Sequence, residues 1–161
     1  MDILYAPWRE AYFTQDKEEC VFCGISNNKN NDSKNKVIYR NDKLFIVMNK
    51  FPYTPGHILI VPHLHEDSPE KLPQDLWLGM CQIAQDSMQI LYDYGANGIN
   101  MGMNIKKSGG AGIPQHLHLH LLPRWSGDTN FITSIGNVRS YGIDFEKVYQ
   151  QFLELAKKYL R

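Results

Sequence analysis

The sequence predicts an α+β domain, a mainly antiparallel sheet carrying two main helices. Short apolar and β-branched runs separated by turn residues predict the strands. Two longer stretches repeat apolar residues at helical spacing and predict the helices. Successive strand runs joined by a tight turn predict antiparallel neighbours.

Residues 1–19 carry Trp8, Tyr12 and Phe13, aromatics expected to pack on the body of the domain. Residues 26–36 are rich in asparagine and lysine, and their composition predicts a solvated, mobile loop. Val37-Ile38-Tyr39 and Leu44-Phe45-Ile46-Val47-Met48 read as strands. Phe51-Pro52-Tyr53-Thr54-Pro55-Gly56 is turn chemistry, and His57-Ile58-Leu59-Ile60-Val61 is the next strand. A helix is expected from Pro73 to about Tyr94, with Trp77, Met80, Cys81, Ala84, Met88 and Leu91 on its apolar stripe and Gly95 as its stop. That stripe places Cys81 in the core. Gly98 to Met103 reads as a strand, and Ser108 to Pro114 as a loop with three glycines. His116 to Leu122 alternates as a strand should. The C-terminal helix occupies 143–161, its apolar face opening at Phe145 and continuing through Val148, Tyr149, Phe152, Ala156 and Tyr159. Lys157, Lys158 and Arg161 suit the C-terminal end of its dipole.

All 161 residues fit one domain, 1–161. Seventeen basic and seventeen acidic residues give zero net charge, which offers nucleic acid or an anionic membrane no general attraction. No run approaches the roughly 20 apolar residues of a membrane span. The first residues show neither a basic nor an apolar leader region, and three cysteines fit no disulfide framework, so a cytoplasmic protein is expected.

The chemistry concentrates in His116-Leu117-His118-Leu119-His120-Leu121-Leu122. Period-two alternation puts the three histidines on one face, expected to be the open one, and Leu117, Leu119 and Leu121 on the other. Imidazole transfers protons near neutral pH and is also a nucleophile. Neighbouring histidines can bind metal, donate to phosphate oxygens or protonate a leaving group. The glycine loop before them lets backbone N–H groups approach an anion, or is a plain turn.

This pattern resembles the signature of the histidine-triad family, His-φ-His-φ-His-φ-φ with φ apolar, at every position of 116–122. The likeness extends to Pro123-Arg124-Trp125 and Gly127-Asp128-Thr129-Asn130-Phe131, and upstream to Asn49, Pro55-Gly56-His57, Val61-Pro62 and Pro7-Trp8-Arg9. It is similar to a bacterial branch near the diadenosine tetraphosphate phosphorylases and fragile-histidine-triad hydrolases. The resemblance implies a fold of that family and cleavage of a dinucleoside polyphosphate, such as diadenosine tetraphosphate, at an α-phosphorus. His118 would be the nucleophile, forming a nucleotidyl-histidine that water or inorganic phosphate then releases, with its other ring nitrogen held by a backbone carbonyl. His120 and His57 would touch phosphate oxygens, Asn49 a ribose hydroxyl, and Asn104 phosphate or ribose. Gly110 and Gly112 of the loop would approach the phosphates. Relatives often carry glutamine or serine where this chain has Gly112, and Gln115 beside the triad is a candidate substitute.

Phe22 and Ile25 either line a nucleobase pocket or pack in the core. Phe45 and Val47 face opposite to Leu44 and Ile46, so one pair serves the base and the other the core. Arg124 either contacts phosphate or pairs with Asp128, and Trp125 is expected to pack.

Cys20-Val21-Phe22-Cys23 is a C-x-x-C pair, half of a zinc site or a redox pair. The resemblance implies a structural zinc on Cys20, Cys23, His65 and the first triad histidine, His116, with His63 as the competing ligand. No organic cofactor is expected. The implied partner is a small nucleotide, with no nucleic acid or membrane, and a homodimer is expected. The other readings are a nucleoside phosphoramidase, a nucleotide-binding module with little turnover, a nucleic-acid deadenylase and a structural zinc protein.

Overall fold

A computed structural model describes residues 20–136 and 142–160. The aromatics Trp8, Tyr12 and Phe13 and the Pro7-Trp8-Arg9 motif lie outside the described residues. The strands are β1 (Val37–Arg40), β2 (Leu44–Met48), β3 (Ile58–Pro62), β4 (Gly98–Gly102) and β5 (Leu119–Arg124). They form one sheet in the order β1-β2-β3-β5-β4, with every neighbouring pair antiparallel. The helices are α1 (Val21–Asn27), α2 (Asp32–Asn35), α3 (Gln74–Asp93), α4 (Phe131–Gly136) and α5 (Phe145–Tyr159). The α+β class and the two main helices, α3 and α5, are as expected.

Strand alternation divides the interior into two cores. Leu44, Ile46, Ile58, Ile60, Leu119 and Leu121 face α3 and α5 and pack with Met80, Ile90, Val148 and Phe152. Phe45, Val47, Leu59 and Val61 face the other way and pack with Phe22 and Val37. Leu117, Leu119 and Leu121 all join the helix-side core, so the intervening His118 and His120 project on the second face. This face is covered by α1, and the histidines are buried there rather than open: His118 is 5% exposed and His120 7%.

The structure corrects three further expectations. The 26–36 segment is built as the end of α1, a 3-10 turn over Lys29–Asn31 and α2. Arg40 of β1 holds it by donating to the carbonyls of Ile25 (3.0 Å) and Ser26 (3.2 Å) and pairing with Asp32 at 2.6 Å. A segment organised by one distant arginine shows no apolar periodicity of its own. Cys81 is exposed, because the buried line of α3 runs through Leu76, Met80, Ile83, Ser87 and Ile90, and Cys81 follows Met80 by about 100° of helix turn. The regular β5 ladder starts only at Leu119, so His116 sits in a bend and His118 on irregular chain ahead of it. Backbone N–H of Leu117 donates to the Glu66 carbonyl at 2.6 Å and ties that chain down.

Gly56 closes the β2–β3 connection at φ +76°, and a Cβ there would lie 2.9 Å from the Phe152 ring. Only glycine fits that backbone so close to α5. Asp144 caps α5, its carboxylate accepting from the N–H groups of Glu146 and Lys147. No described helix is long and apolar enough to cross a membrane.

Candidate active site

His118 lies between α1 and the sheet, its ring 5.1 Å from that of Phe22 and 4.9 Å from that of His120. Its Nδ1 is 2.9 Å from the carbonyl oxygen of His116. A carbonyl only accepts, so Nδ1 carries the hydrogen and Nε2 the lone pair. Burial lowers the pKa of His118 below the ordinary imidazole value, against the opposing pull of that carbonyl. The ring is therefore neutral at pH 7 with a free electron pair on Nε2, the state a nucleophile needs.

His120 and His57 form a second imidazole pair. His57 Nε2 lies 2.9 Å from His120 Nδ1, and His57 Nδ1 lies 3.1 Å from Asn49 Nδ2 and 3.3 Å from the N–H of Tyr53. His57 is fully buried. Burial, then His120 and His118, drive its pKa down to about 3. Burial, then His118, drive His120 down to about 4. Among the described residues nothing bonds to the buried Nε2 of His120.

His120 lines a cleft of about 240 Å³ together with Tyr53, Met101, Met103 and Asn104. Across the β4–β5 ladder it faces Gly102, which puts no side chain beside the imidazole. Asn104, expected to hold phosphate or ribose, thus lines the same cleft as a triad histidine. Asn49 is occupied by His57, and its Oδ1 accepts from the N–H of Phe51 at 2.9 Å. Phe22 is buried beneath His116 and His118, with Phe45 beyond it. Gly110, Gly112 and Gln115 lie on the exposed or half-exposed loop before the triad, and none lines the cleft. Arg124 pairs with Asp128 at 2.6 Å and bonds Asn100 at 2.8 Å, and Trp125 packs edge-on against Tyr94.

Cys20, Cys23, His65 and His116 converge, their ligand atoms all within 4.8 Å of one another. Cys20 Sγ is 3.3 Å and Cys23 Sγ 3.6 Å from His116 Nδ1, and Cys23 Sγ is 3.0 Å from His65 Nδ1. A tetrahedral zinc sets such sulfur and nitrogen atoms roughly 3.3–3.8 Å apart, and both Cys–His116 distances lie in that range, so the two thiols and two imidazoles are a donor set that suits the ion. His116 Nε2 donates to the Pro62 carbonyl at 2.9 Å, which leaves the lone pair on the nitrogen that faces the thiols. Burial and the adjacent Cys20 push the Cys23 thiol up to about 11, a penalty that a cation between the sulfurs would reverse. His63 stands outside the group, bonded to Ser26 Oγ at 2.7 Å and the Asn41 carbonyl at 2.9 Å.

Sequence reasoning missed Tyr53, Met101 and Met103. Tyr53 lies nearly parallel to His120 at 6.1 Å between ring centres. Its only signal was an aromatic exposed in a proline-rich turn. Met101 on β4 and Met103 just past its end carried no motif.

The HIT domain model matches residues 30–127. An AP-4-A phosphorylase of Mycobacterium tuberculosis is 34% identical over 106 residues, covering 65% of this chain and 54% of that protein. The chain thus spans about half the length of that relative. A HIT-like protein of Saccharolobus solfataricus is 30% identical over 143 residues, covering 86% of this chain and 98% of that one. The structure is similar to a Zn-bound histidine triad family protein from Mycobacterium smegmatis, with a TM-score of 0.72 and 25% identity, covering 87% of this chain and 94% of the other. With the three triad histidines buried inside the matched segment, the chain belongs to the HIT-domain family.

Proposed function

We propose that the chain is a nucleotidyl hydrolase or transferase that cleaves dinucleoside polyphosphates, such as diadenosine tetraphosphate, at an α-phosphorus. The observation that carries this reading is His118, neutral, fixed by the His116 carbonyl at Nδ1, and beside an imidazole in a cleft whose Nε2 has no partner among the described residues. In the first step His118 Nε2 forms a bond to the α-phosphorus as the bond to the leaving polyphosphate oxygen breaks, its electron pair going to that oxygen. The positive charge developing on His118 is shared with the Nδ1–H···O=C hydrogen bond. In the second step water or inorganic phosphate attacks phosphorus, the P–N bond breaks, and its electron pair returns to Nε2. Water yields the nucleoside monophosphate, phosphate the diphosphate. Asn104 and His120, which both line the cleft, would meet the phosphate chain there. The similarity to an AP-4-A phosphorylase supports the substrate class.

Cys20, Cys23, His65 and His116 would hold a structural zinc, which supplies a closed cross-link with no open coordination position. Its place is to fix the chain before the triad to α1 and to the end of β3.

Chromatography of products from diadenosine tetraphosphate, with and without inorganic phosphate, tests the reading. AMP and ATP in both conditions identify a hydrolase, and ADP and ATP only with phosphate a phosphorylase. No product in either condition rejects this substrate class.

A further inference from the structure

We infer that Tyr53 is a specificity-determining residue whose ring is a stacking platform for the base of the leaving nucleotide, a role that rests on the proposed cleavage at an α-phosphorus. Tyr53 follows Pro52 in the β2–β3 turn and is 54% exposed. Its ring nevertheless has a fixed seat against two imidazoles. The ring centre is 5.0 Å from that of His57 and 6.1 Å from that of His120, and the Tyr53 and His120 planes differ by only 15°. The two imidazole centres are 5.1 Å apart, so both lie on one face of the tyrosine. On opposite faces they would be much farther from each other. The second face of the ring accounts for its exposure and is open to a ligand.

The surroundings of that face suit a planar, weakly polar group. Met101, 56% exposed, and Met103 line the cleft together with Tyr53. Exposed apolar side chains gathered at a concave site mark a binding surface. Thioethers contact aromatic rings favourably and adapt to their outline. His120 Nε2, buried in the same cleft without a partner among the described residues, is an independent sign that a polar ligand group enters beside the tyrosine. A polar contact for phosphate next to an aromatic platform is the chemistry that recognises a nucleotide. The cleft holds about 240 Å³, less than the roughly 300–1,000 Å³ of a pocket that encloses a whole drug-sized ligand, so it takes one part of a dinucleotide. In-line displacement sets the leaving group across phosphorus from the nucleophile. His118 packs on Phe22 of α1, and the described walls of the cleft include His120 but not His118. The part in the cleft is therefore the leaving one, and its flexible polyphosphate lets the base fold back onto Tyr53. A base stacks on an aromatic ring whatever its hydrogen-bonding edge, so the platform selects for a second nucleoside rather than for a particular base.

Two substrates that differ only in the leaving group test this. On attack at the α-phosphorus, diadenosine tetraphosphate loses ATP, whereas adenosine 5′-tetraphosphate loses inorganic tripolyphosphate, which has no base. Tyr53→Ala should lower the ratio of kcat/KM for the first over the second by about fivefold to a hundredfold. A disturbance of the imidazoles would slow both substrates and cancel in that ratio. Tyr53→Phe keeps the ring and should keep the wild-type ratio. An unchanged ratio in Tyr53→Ala, or an equal fall in Tyr53→Phe, overturns the platform. If wild type cleaves neither compound, the proposed function fails, and methyl NMR of the intact protein still decides whether a base stacks there. ATP should move the Met101 and Met103 methyl resonances upfield, as a purine laid across them shields them. Tripolyphosphate should not, and Tyr53→Ala should abolish the ATP shift. Methyl resonances indifferent to ATP, or shifts that follow protein concentration instead, as a contact between copies of the chain would give, overturn it.

Discussion

His118 combines a nucleophile's tautomer with the packing duty of a core residue. His118→Asn keeps most of the polar volume and should lower turnover of diadenosine tetraphosphate by at least ~10³-fold while the protein stays folded. His118→Ala should in addition cost about 1–3 kcal/mol, because it empties space against Phe22, and denaturant unfolding of the two variants separates the effects. The buried imidazoles also set an acid limit. His57 and His120 titrate near 3 and 4 when folded but near 6.5 when unfolded. Below 6.5 the unfolded chain binds more protons, so this contribution to stability is complete above pH 6.5 and declines as pH falls toward 4 and 3. The denaturation midpoint should therefore drop between pH 6.5 and 4.5, and a flat profile there would contradict the neutral burial of the pair. The triad was legible because period-two alternation with leucine announces one face. The hydrogen bonds behind it were not, because Asn49, Phe51, Tyr53 and His57 meet through contacts that spacing does not encode.

The β2–β3 connection carries the largest structural demand close to the site. Gly56 precedes His57, has φ +76°, and leaves no room for a Cβ beside Phe152. Gly56→Ala should destabilise the fold by about 1–2 kcal/mol or more from the backbone term alone. It should also shift His57, visible as altered imidazole resonances of His57 and His120. A variant as stable as wild type would show that the turn relaxes away from α5. Helices α3 and α5 and strands β2 and β3 were readable because each buries a regular face of its own sequence. The α1–α2 region was not, since Arg40 organises it from β1, and Cys81 was misplaced because it lies beside the α3 stripe rather than on it.

Across the whole molecule the Cys₂His₂ group joins the start of α1, the chain after β3 and the chain before β5. If these residues hold zinc, purified protein should contain one equivalent, and a chelator should remove it with a loss of stability. Free zinc at 100 times its dissociation constant would add about 2.7 kcal/mol, so the loss should be of at least that order. Cys20→Ser should reproduce both effects. Metal-free protein with a melting curve indifferent to chelator and to Cys20→Ser would reject the zinc. The ligand set was legible through the family resemblance, whereas C-x-x-C spacing alone left redox and metal readings open. The convergence of His65 and His116 needed the fold.

The account turns on a covalent bond at one nitrogen. A single turnover of diadenosine tetraphosphate labelled at the α-phosphorus, quenched in alkali where a phosphorus–nitrogen bond survives, should leave label on the peptide carrying His118 and none in His118→Asn. Turnover with a product burst but no label on that peptide would contradict the nucleotidyl-histidine mechanism.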